Sequence, residues 1–167
     1  GFDFIRIGKA IIKNITSGSL KEGASTITQQ YARNLFLNYD KTWSRKIDEA
    51  ILAAELEAHY TKEEILEGYL NTINYGGVYG IENASWYYFG HSASELSLAE
   101  ASMLAGIPQS PSNNSPLNNL DRAKNRQKVV LMSMYNNKTI TEDEMNKAVD
   151  YKLEYVGKIN QSSLENV

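Results

Sequence analysis

The chain has 167 residues, of which 42% are hydrophobic and 22% are charged, and its net charge is -3 at neutral pH. This composition is ordinary for a globular domain, and the small negative charge argues against a nucleic-acid partner. The sequence has no cysteine, which excludes disulfides and thiolate metal sites. It also has no run of about 18 apolar residues that would span a bilayer.

The first predicted helix begins inside the stretch EGASTITQQYARN, residues 22–34. Thr26 has the properties of an N-cap residue, and Gln29 stands at the third helical position, where its side chain can return a hydrogen bond to the cap. Hydroxyl, amide and guanidinium groups crowd this stretch: Ser25, Thr26, Thr28, Gln29, Gln30, Arg33 and Asn34. The first helix is therefore expected to present a row of hydrogen-bond donors that ends in a cation.

Two longer helices are predicted next, over residues 42–60 and 61–73, because their apolar residues recur with a period of about 3.6. In the first of them Ile47, Ile51 and Ala54 form one apolar stripe, and Leu52 and Leu56 form a neighbouring one. The two helices are expected to meet near residues 60 and 61.

Further helices are predicted over residues 98–106, 120–135 and 142–151, and residues 110–119, rich in Pro and Asn, are predicted to form a loop. Three helix starts carry the spacing of a capping box: Thr61 with Glu64, Ser97 with Glu100, and Thr141 with Glu144. No segment alternates with period two for long enough to predict a strand, so the expected fold is all-α.

The residues around Glu49 suggest a binding site. Arg45 and Glu49 are four residues apart, and a surface ion pair worth about 0.3–0.5 kcal/mol would explain that spacing. However, the cation precedes the acid and lies near a helix N-terminus, where the macrodipole disfavours it. Arg33, Lys41 and Lys46 lie within a short loop of the same place. Converging cations beside a helix N-terminus favour a phosphate-rich ligand, with Glu49 able to transfer protons or hold a divalent ion.

Four blocks of the sequence carry a family resemblance. They read GASTITQQYARN at 23–34, RKIDEAILAAELE at 45–57, KEEILEGYLNTINYGGVYGIENASWYYFG at 62–90 and LSLAEASMLAGIPQSP at 96–111. In this order they resemble the motifs of bacterial peptidoglycan glycosyltransferases of family 51. That family occurs as monofunctional enzymes and as the N-terminal domain of class A penicillin-binding proteins.

The resemblance implies a mainly helical, lysozyme-like domain at the outer face of the bacterial cytoplasmic membrane. It implies polymerisation of lipid II onto a growing glycan chain, release of undecaprenyl pyrophosphate, and inhibition by the phosphoglycolipid moenomycin. The segment after residue 119 is similar to the one that follows the glycosyltransferase core in class A proteins, so a transpeptidase domain is expected downstream. We expect the domain to span residues 1–155, and residues 156–167 to form a linker or tail.

The resemblance also implies roles for single residues. Glu49 matches the second acid of the family, which assists departure of the pyrophosphate directly or through a metal ion such as Mg²⁺ or Mn²⁺; no organic cofactor is implied. Arg33 stands where the family usually has Lys, which changes a point charge into a planar fork. The residues expected to bind the donor sugar and its pyrophosphate are Ser25, Thr26, Gln29, Gln30, Arg33, Asn34, Lys41, Arg45 and Lys46.

The family's general base lies in a motif of the form E-D-x-x-F-x-x-H-x-G. The opening residues GFDFIRIGKA resemble the end of that motif, with its Gly at Gly1, and the acid is absent from the sequence. We therefore expect an N-terminally truncated domain that binds ligand and polymerises little or nothing.

Two other classes of function stay open on sequence grounds. A lysozyme-like enzyme that cleaves glycans would need an acid in an apolar pocket, and it would have little use for four cations at one ligand. A non-catalytic helical domain that binds glycan or a partner would tolerate Glu49→Gln and Arg45→Ala with no effect beyond stability.

Overall fold

A computed structural model describes residues 26–36 and 43–156, including all their side chains except those of residues 43–45. The helices in these ranges are α1 Ile27–Phe36, α2 Trp43–His59, α3 Lys62–Thr72, α4 Ile81–Phe89, α5 Leu98–Gly106, α6 Pro111–Asn114, α7 Leu120–Asn136 and α8 Glu142–Asp150. Short 3-10 turns lie at Ala93–Glu95 and Ile107–Gln109. No strand occurs in the described ranges, where the only β pairing is an isolated bridge between Asn74 and Tyr79. The expected all-α fold is confirmed.

The predicted helix starts are confirmed in atomic detail. The α3, α5 and α8 helices each begin with a reciprocal capping box, in which the N-cap hydroxyl accepts from the third backbone amide and the third side chain accepts from the N-cap amide. These bonds satisfy amides that the first turn of a helix otherwise leaves without partners. The loop predicted over 110–119 contains one element that the sequence did not reveal, the short helix α6, which Pro111 starts.

The main core surrounds α5, in which most side chains are buried. The Gln127 side chain of α7 is 2% exposed and donates from Nε2 to the Ala99 carbonyl of α5 at 2.8 Å. Buried apolar side chains from the other helices close the core, among them Tyr69, Tyr88, Leu131 and Met145. At the end of the described chain, the Val156 amide donates to the Tyr88 carbonyl at 3.0 Å.

The α2 helix lies where its periodicity predicts, and only one of its two predicted apolar stripes packs against the protein. Ile47 and Ile51 of the first stripe are 63% and 54% exposed, whereas Leu56 of the second is buried. The buried side chains of the described part of α2 are Glu49, Ala53 and Leu56. The periodicity of apolar residues predicts a helix, but it does not identify which of two neighbouring apolar stripes packs against the rest of the protein. Within the described ranges, every helix is too short or too polar to cross a bilayer.

The α1 helix packs against both α2 and α3. A small cluster of Ala32, Leu56 and Ile65, one from each helix, fills the space between them. Gly68 of α3 lets Tyr31 of α1 approach closely, because a Cβ at Gly68 would lie 2.3 Å from the Tyr31 hydroxyl oxygen. The packing of α1, α2 and α3 therefore brings polar residues of these helices close together.

Candidate active site

Glu49 is the centre of the site. It lies in the second turn of α2, and its side chain is only 1% exposed. Its Oε2 accepts a hydrogen bond from Lys46 Nζ at 2.6 Å, from one turn earlier in the same helix. A buried carboxylate is costly unless it is paired, so this contact is part of what makes the burial of Glu49 tolerable.

A second cation reaches Glu49 from another helix. Arg33 of α1 places Nη1 4.0 Å from Glu49 Oε1. Arg33 and Lys46 keep 31% and 47% of their side chains exposed, whereas the carboxylate between them is buried. One acid therefore gathers two cations from two helices and leaves their outer surfaces open to a ligand. Such an arrangement suits an anion with several oxygens, for which Arg offers a fork of donors and Lys a point charge.

Hydrogen bonds fix α1 at its start. The Gln29 backbone amide donates to Thr26 Oγ1 at 3.1 Å, and the Thr26 amide donates to Gln29 Oε1 at 3.0 Å. Thr28, the residue before Gln29, is 8% exposed and donates from Oγ1 to Glu57 Oε1 of α2 at 2.8 Å. The cap starts the helix, and the Thr28 bond ties it to α2 two turns beyond Glu49.

The third helix contributes Tyr69, which is 7% exposed and donates from its hydroxyl to Gln30 Oε1 of α1 at 3.3 Å. Burial raises the pKa of Tyr69 far above its ordinary value, although the charge of Arg33 opposes this rise. The hydroxyl is therefore protonated near neutral pH, where it donates to Gln30.

The structure brings some of the predicted site residues together and leaves others apart. Arg33 and Lys46 both contact Glu49, and Gln30, three residues before Arg33 on α1, accepts from Tyr69. Asn34 is exposed near the end of α1. Thr26 and Gln29 bind each other in the helix cap. Three predicted site groups lie outside the described structure: Ser25, Lys41 and the side chain of Arg45.

Among the residues that the structure describes, those near Glu49 do not form a site for a divalent ion. In the described part of the chain, no three His, Asp or Glu side chains gather in one place. Mg²⁺ and Mn²⁺ need several oxygen ligands, whereas Glu49 faces two cations. We therefore derive no chemical step through a metal at this site.

The contacts that two residues make with α1 could not be predicted from the sequence. Glu57 reads as a solvated acid on a polar face, and Tyr69 reads as an aromatic core residue. Their partners, Thr28 and Gln30, are 29 and 39 residues away in the sequence. Only the packing of three helices reveals these contacts.

With this geometry established, comparison with known proteins places the chain. The sequence family described as Transglycosylase matches residues 1–135. The chain belongs to the transglycosylase family. Penicillin-binding protein 2D of Bacillus subtilis is 49% identical over 156 residues, which are 93% of this chain and 23% of that protein. Penicillin-binding protein 1A of Neisseria lactamica is 45% identical over 168 residues, covering 98% of this chain and 21% of that protein.

A solved structure supports the same placement. The crystal structure of penicillin-binding protein 1A from Haemophilus influenzae matches with a TM-score of 0.54 and 32% identity, over 66% of this chain and 19% of that one. The lysozyme-like helical fold expected from the resemblance is thereby confirmed. This transglycosylase chain spans about a fifth of the length of these relatives.

Proposed function

We propose that the chain is a peptidoglycan glycosyltransferase domain that binds the pyrophosphate of a lipid-linked glycan donor. The observation that carries this proposal is the buried Glu49 carboxylate, which holds Arg33 and Lys46 side by side with their outer surfaces exposed. A glycan-cleaving enzyme forms no pyrophosphate and needs no such pair of cations. Family membership and the cation pair support the same chemistry.

In the proposed reaction, the 4-hydroxyl of an incoming lipid II attacks the anomeric carbon of the growing chain. A new glycosidic bond forms between that carbon and the acceptor oxygen. The bond from the same carbon to the pyrophosphate breaks, and undecaprenyl pyrophosphate leaves with the electron pair. The acceptor proton passes to the general base of the E-D-x-x-F-x-x-H-x-G motif.

Arg33 and Lys46 neutralise the charge that develops on the departing pyrophosphate. Such electrostatic stabilisation is often the largest contribution that an enzyme makes to a rate, because the charges are already in place before the reaction. Glu49 keeps the two cations at a fixed separation. Their side chains therefore lose little conformational entropy when the ligand binds. Its place beside them assigns Glu49 to the departure of the leaving group and not to removal of the acceptor proton.

The wider setting follows from the same proposal. The substrate carries an undecaprenyl chain, so the domain works at the outer face of the cytoplasmic membrane, and its partners are lipid II, the growing glycan and the membrane surface. The named relatives are penicillin-binding proteins several times longer than this chain. We therefore place a transpeptidase domain downstream in the full-length protein, with the glycosyltransferase domain over residues 1–155 and a linker or tail over 156–167.

The binding step is tested by titrating the chain with moenomycin, a phosphoglycolipid, and following its thermal unfolding. We expect saturable stabilisation, which reaches about 2.7 kcal/mol when the ligand is at a hundred times its dissociation constant. Arg33→Ala should abolish most of this shift. The matched control is Lys128→Ala, which removes an exposed cation from α7, a helix that packs against α5 and α8. No stabilisation of the wild-type chain, or equal effects of the two variants, would refute the binding site.

The catalytic step is tested with lipid II and the 167-residue chain. We expect little or no polymer, because the sequence contains no acid in the position of the family's general base. Robust polymerisation would show that another group removes the acceptor proton. Release of soluble fragments from purified sacculi would instead favour the glycan-cleaving alternative.

A further inference from the structure

The contact between Tyr69 and Gln30 gives α3 a part in the proposed site. Gln30 and Arg33 are three residues apart on α1 and therefore share a face of that helix. The Tyr69 hydroxyl donates to the Oε1 of Gln30, and the charge of Arg33 acts on the same hydroxyl. Tyr69 of α3 thus contacts this face of α1 at Gln30.

The direction of that hydrogen bond decides how the Gln30 amide is turned. A glutamine side chain has one acceptor oxygen and one donor nitrogen, on opposite sides of the same carbon. In the structure the Tyr69 hydroxyl donates to the oxygen, so Nε2 lies on the side of the amide away from that hydroxyl. If the Gln30 amide were rotated by half a turn, its oxygen would face an anionic ligand and repel that ligand.

The approach of α3 to α1 makes the contact possible. Gly68, the residue before Tyr69, has no side chain to keep the Tyr31 ring at a distance. The oxygen to oxygen distance of 3.3 Å is longer than the usual 2.7–2.8 Å. Hydrogen bonds of an unliganded site often tighten when the ligand binds, so this one has room to shorten.

We propose that Tyr69 is a positioning residue of the donor pocket. Its hydroxyl holds Gln30 Oε1 and so directs Gln30 Nε2 toward the phosphate oxygens that Arg33 and Lys46 bind. This inference rests on the proposed function, since it requires an anionic ligand at the cations. Tyr69 itself touches neither the ligand nor the reacting atoms, and it acts through Gln30.

The first test is moenomycin affinity, measured by calorimetry on the wild-type chain and on Tyr69→Phe. Loss of one hydrogen bond predicts an affinity about three- to tenfold weaker. Tyr75→Phe is the matched control, because Tyr75 is 1% exposed and its hydroxyl donates within the same region of the chain, to the Leu70 carbonyl at 3.4 Å. The control should bind like the wild-type chain.

A double-mutant cycle separates positioning from a general loss of structure. In a Gln30→Ala background, Tyr69→Phe should change the affinity by less than about twofold, because the group through which it acts is gone. A purely structural role predicts the full loss again in that background. The Gln30 side-chain amide resonances, assigned by their disappearance in Gln30→Ala, should shift in unliganded Tyr69→Phe and stay in place in Tyr75→Phe.

The outcomes distinguish this inference from the function on which it rests. If the wild-type chain binds moenomycin, Arg33→Ala does not, and Tyr69→Phe binds like the wild type, then the proposed function stands and the role of Tyr69 is refuted. Additive effects in the cycle refute it as well. If the wild-type chain does not bind, both proposals fail, whatever the Gln30 resonances show.

Discussion

The approach of α1 to α3 at Gly68 can be tested by one substitution. Whether that substitution stabilises or destabilises the chain should depend on the side chain at residue 31. Gly68→Ala replaces a glycine in the interior of α3, where alanine is favoured by about 1 kcal/mol. In this protein, however, the new Cβ would lie 2.3 Å from the Tyr31 hydroxyl oxygen and 2.4 Å from its Cζ. These distances are too short for atoms that are not bonded, so either the ring or the whole of α1 must move.

The expected magnitude follows from two opposing contributions. Overpacking of this kind costs about 1–3 kcal/mol, and the helix preference of alanine offsets about 1 kcal/mol of that cost. We therefore expect Gly68→Ala to destabilise the wild-type chain by about 1 kcal/mol. In a Tyr31→Ala background the clash is absent, so the same substitution should stabilise the chain by about 1 kcal/mol.

The measurement is urea unfolding followed by far-ultraviolet circular dichroism on the wild-type chain, the two single variants and the double variant. A reversal of sign, with a coupling of about 2 kcal/mol, would confirm that Tyr31 lies against α3. If Gly68→Ala stabilises both backgrounds equally, the Tyr31 ring does not lie against Gly68 as described.

Three further predictions concern single interactions. Thr28→Val should remove the bond to Glu57, cost about 1 kcal/mol in urea unfolding and weaken moenomycin binding, and most of this effect should vanish in a Glu57→Ala background, which has no side-chain acceptor. Thr61→Ala should cost about 1 kcal/mol, measured in the same way, because it removes the N-cap of α3. The hydrogen bond to Glu100 raises the pKa of His91, so its contribution to stability is present below about pH 6.5 and is lost as the pH rises through the raised value. His91→Gln should therefore destabilise the chain more at about pH 5.5 than at about pH 8.5, by a few tenths to about 1 kcal/mol.

Local signals in the sequence were sufficient to place most helix starts. The capping boxes at Thr61, Ser97 and Thr141 involve residues only three apart, and all three are present in the structure. The Thr26 cap is equally local. Such bonds form within one turn of helix, so their prediction needs no knowledge of the rest of the fold.

The buried face of α2 could not be predicted in the same way. Its apolar residues occupy more than one stripe, and the buried stripe contains Glu49, which a hydrophobic pattern assigns to the solvent. Ile47 and Ile51 give the stronger apolar signal and are exposed in the structure. A helix that buries an acid for a site breaks the pattern at that acid, which is why the pattern fails here.

Three of the residues singled out from the sequence, Arg33, Lys46 and Glu49, lie together in the structure, whereas their pairing could not be predicted. Spacing alone draws attention to Arg45 and Glu49, four residues apart, but the described contact within α2 comes from Lys46, three residues from Glu49. The contact from Arg33 depends on the angle and distance between α1 and α2. Thr28 sets that distance through Glu57, from a buried position beside the polar row. A loss of the Thr28 bond should consequently weaken ligand binding even though neither partner touches the ligand, because it frees α1 to carry Arg33 away from Glu49.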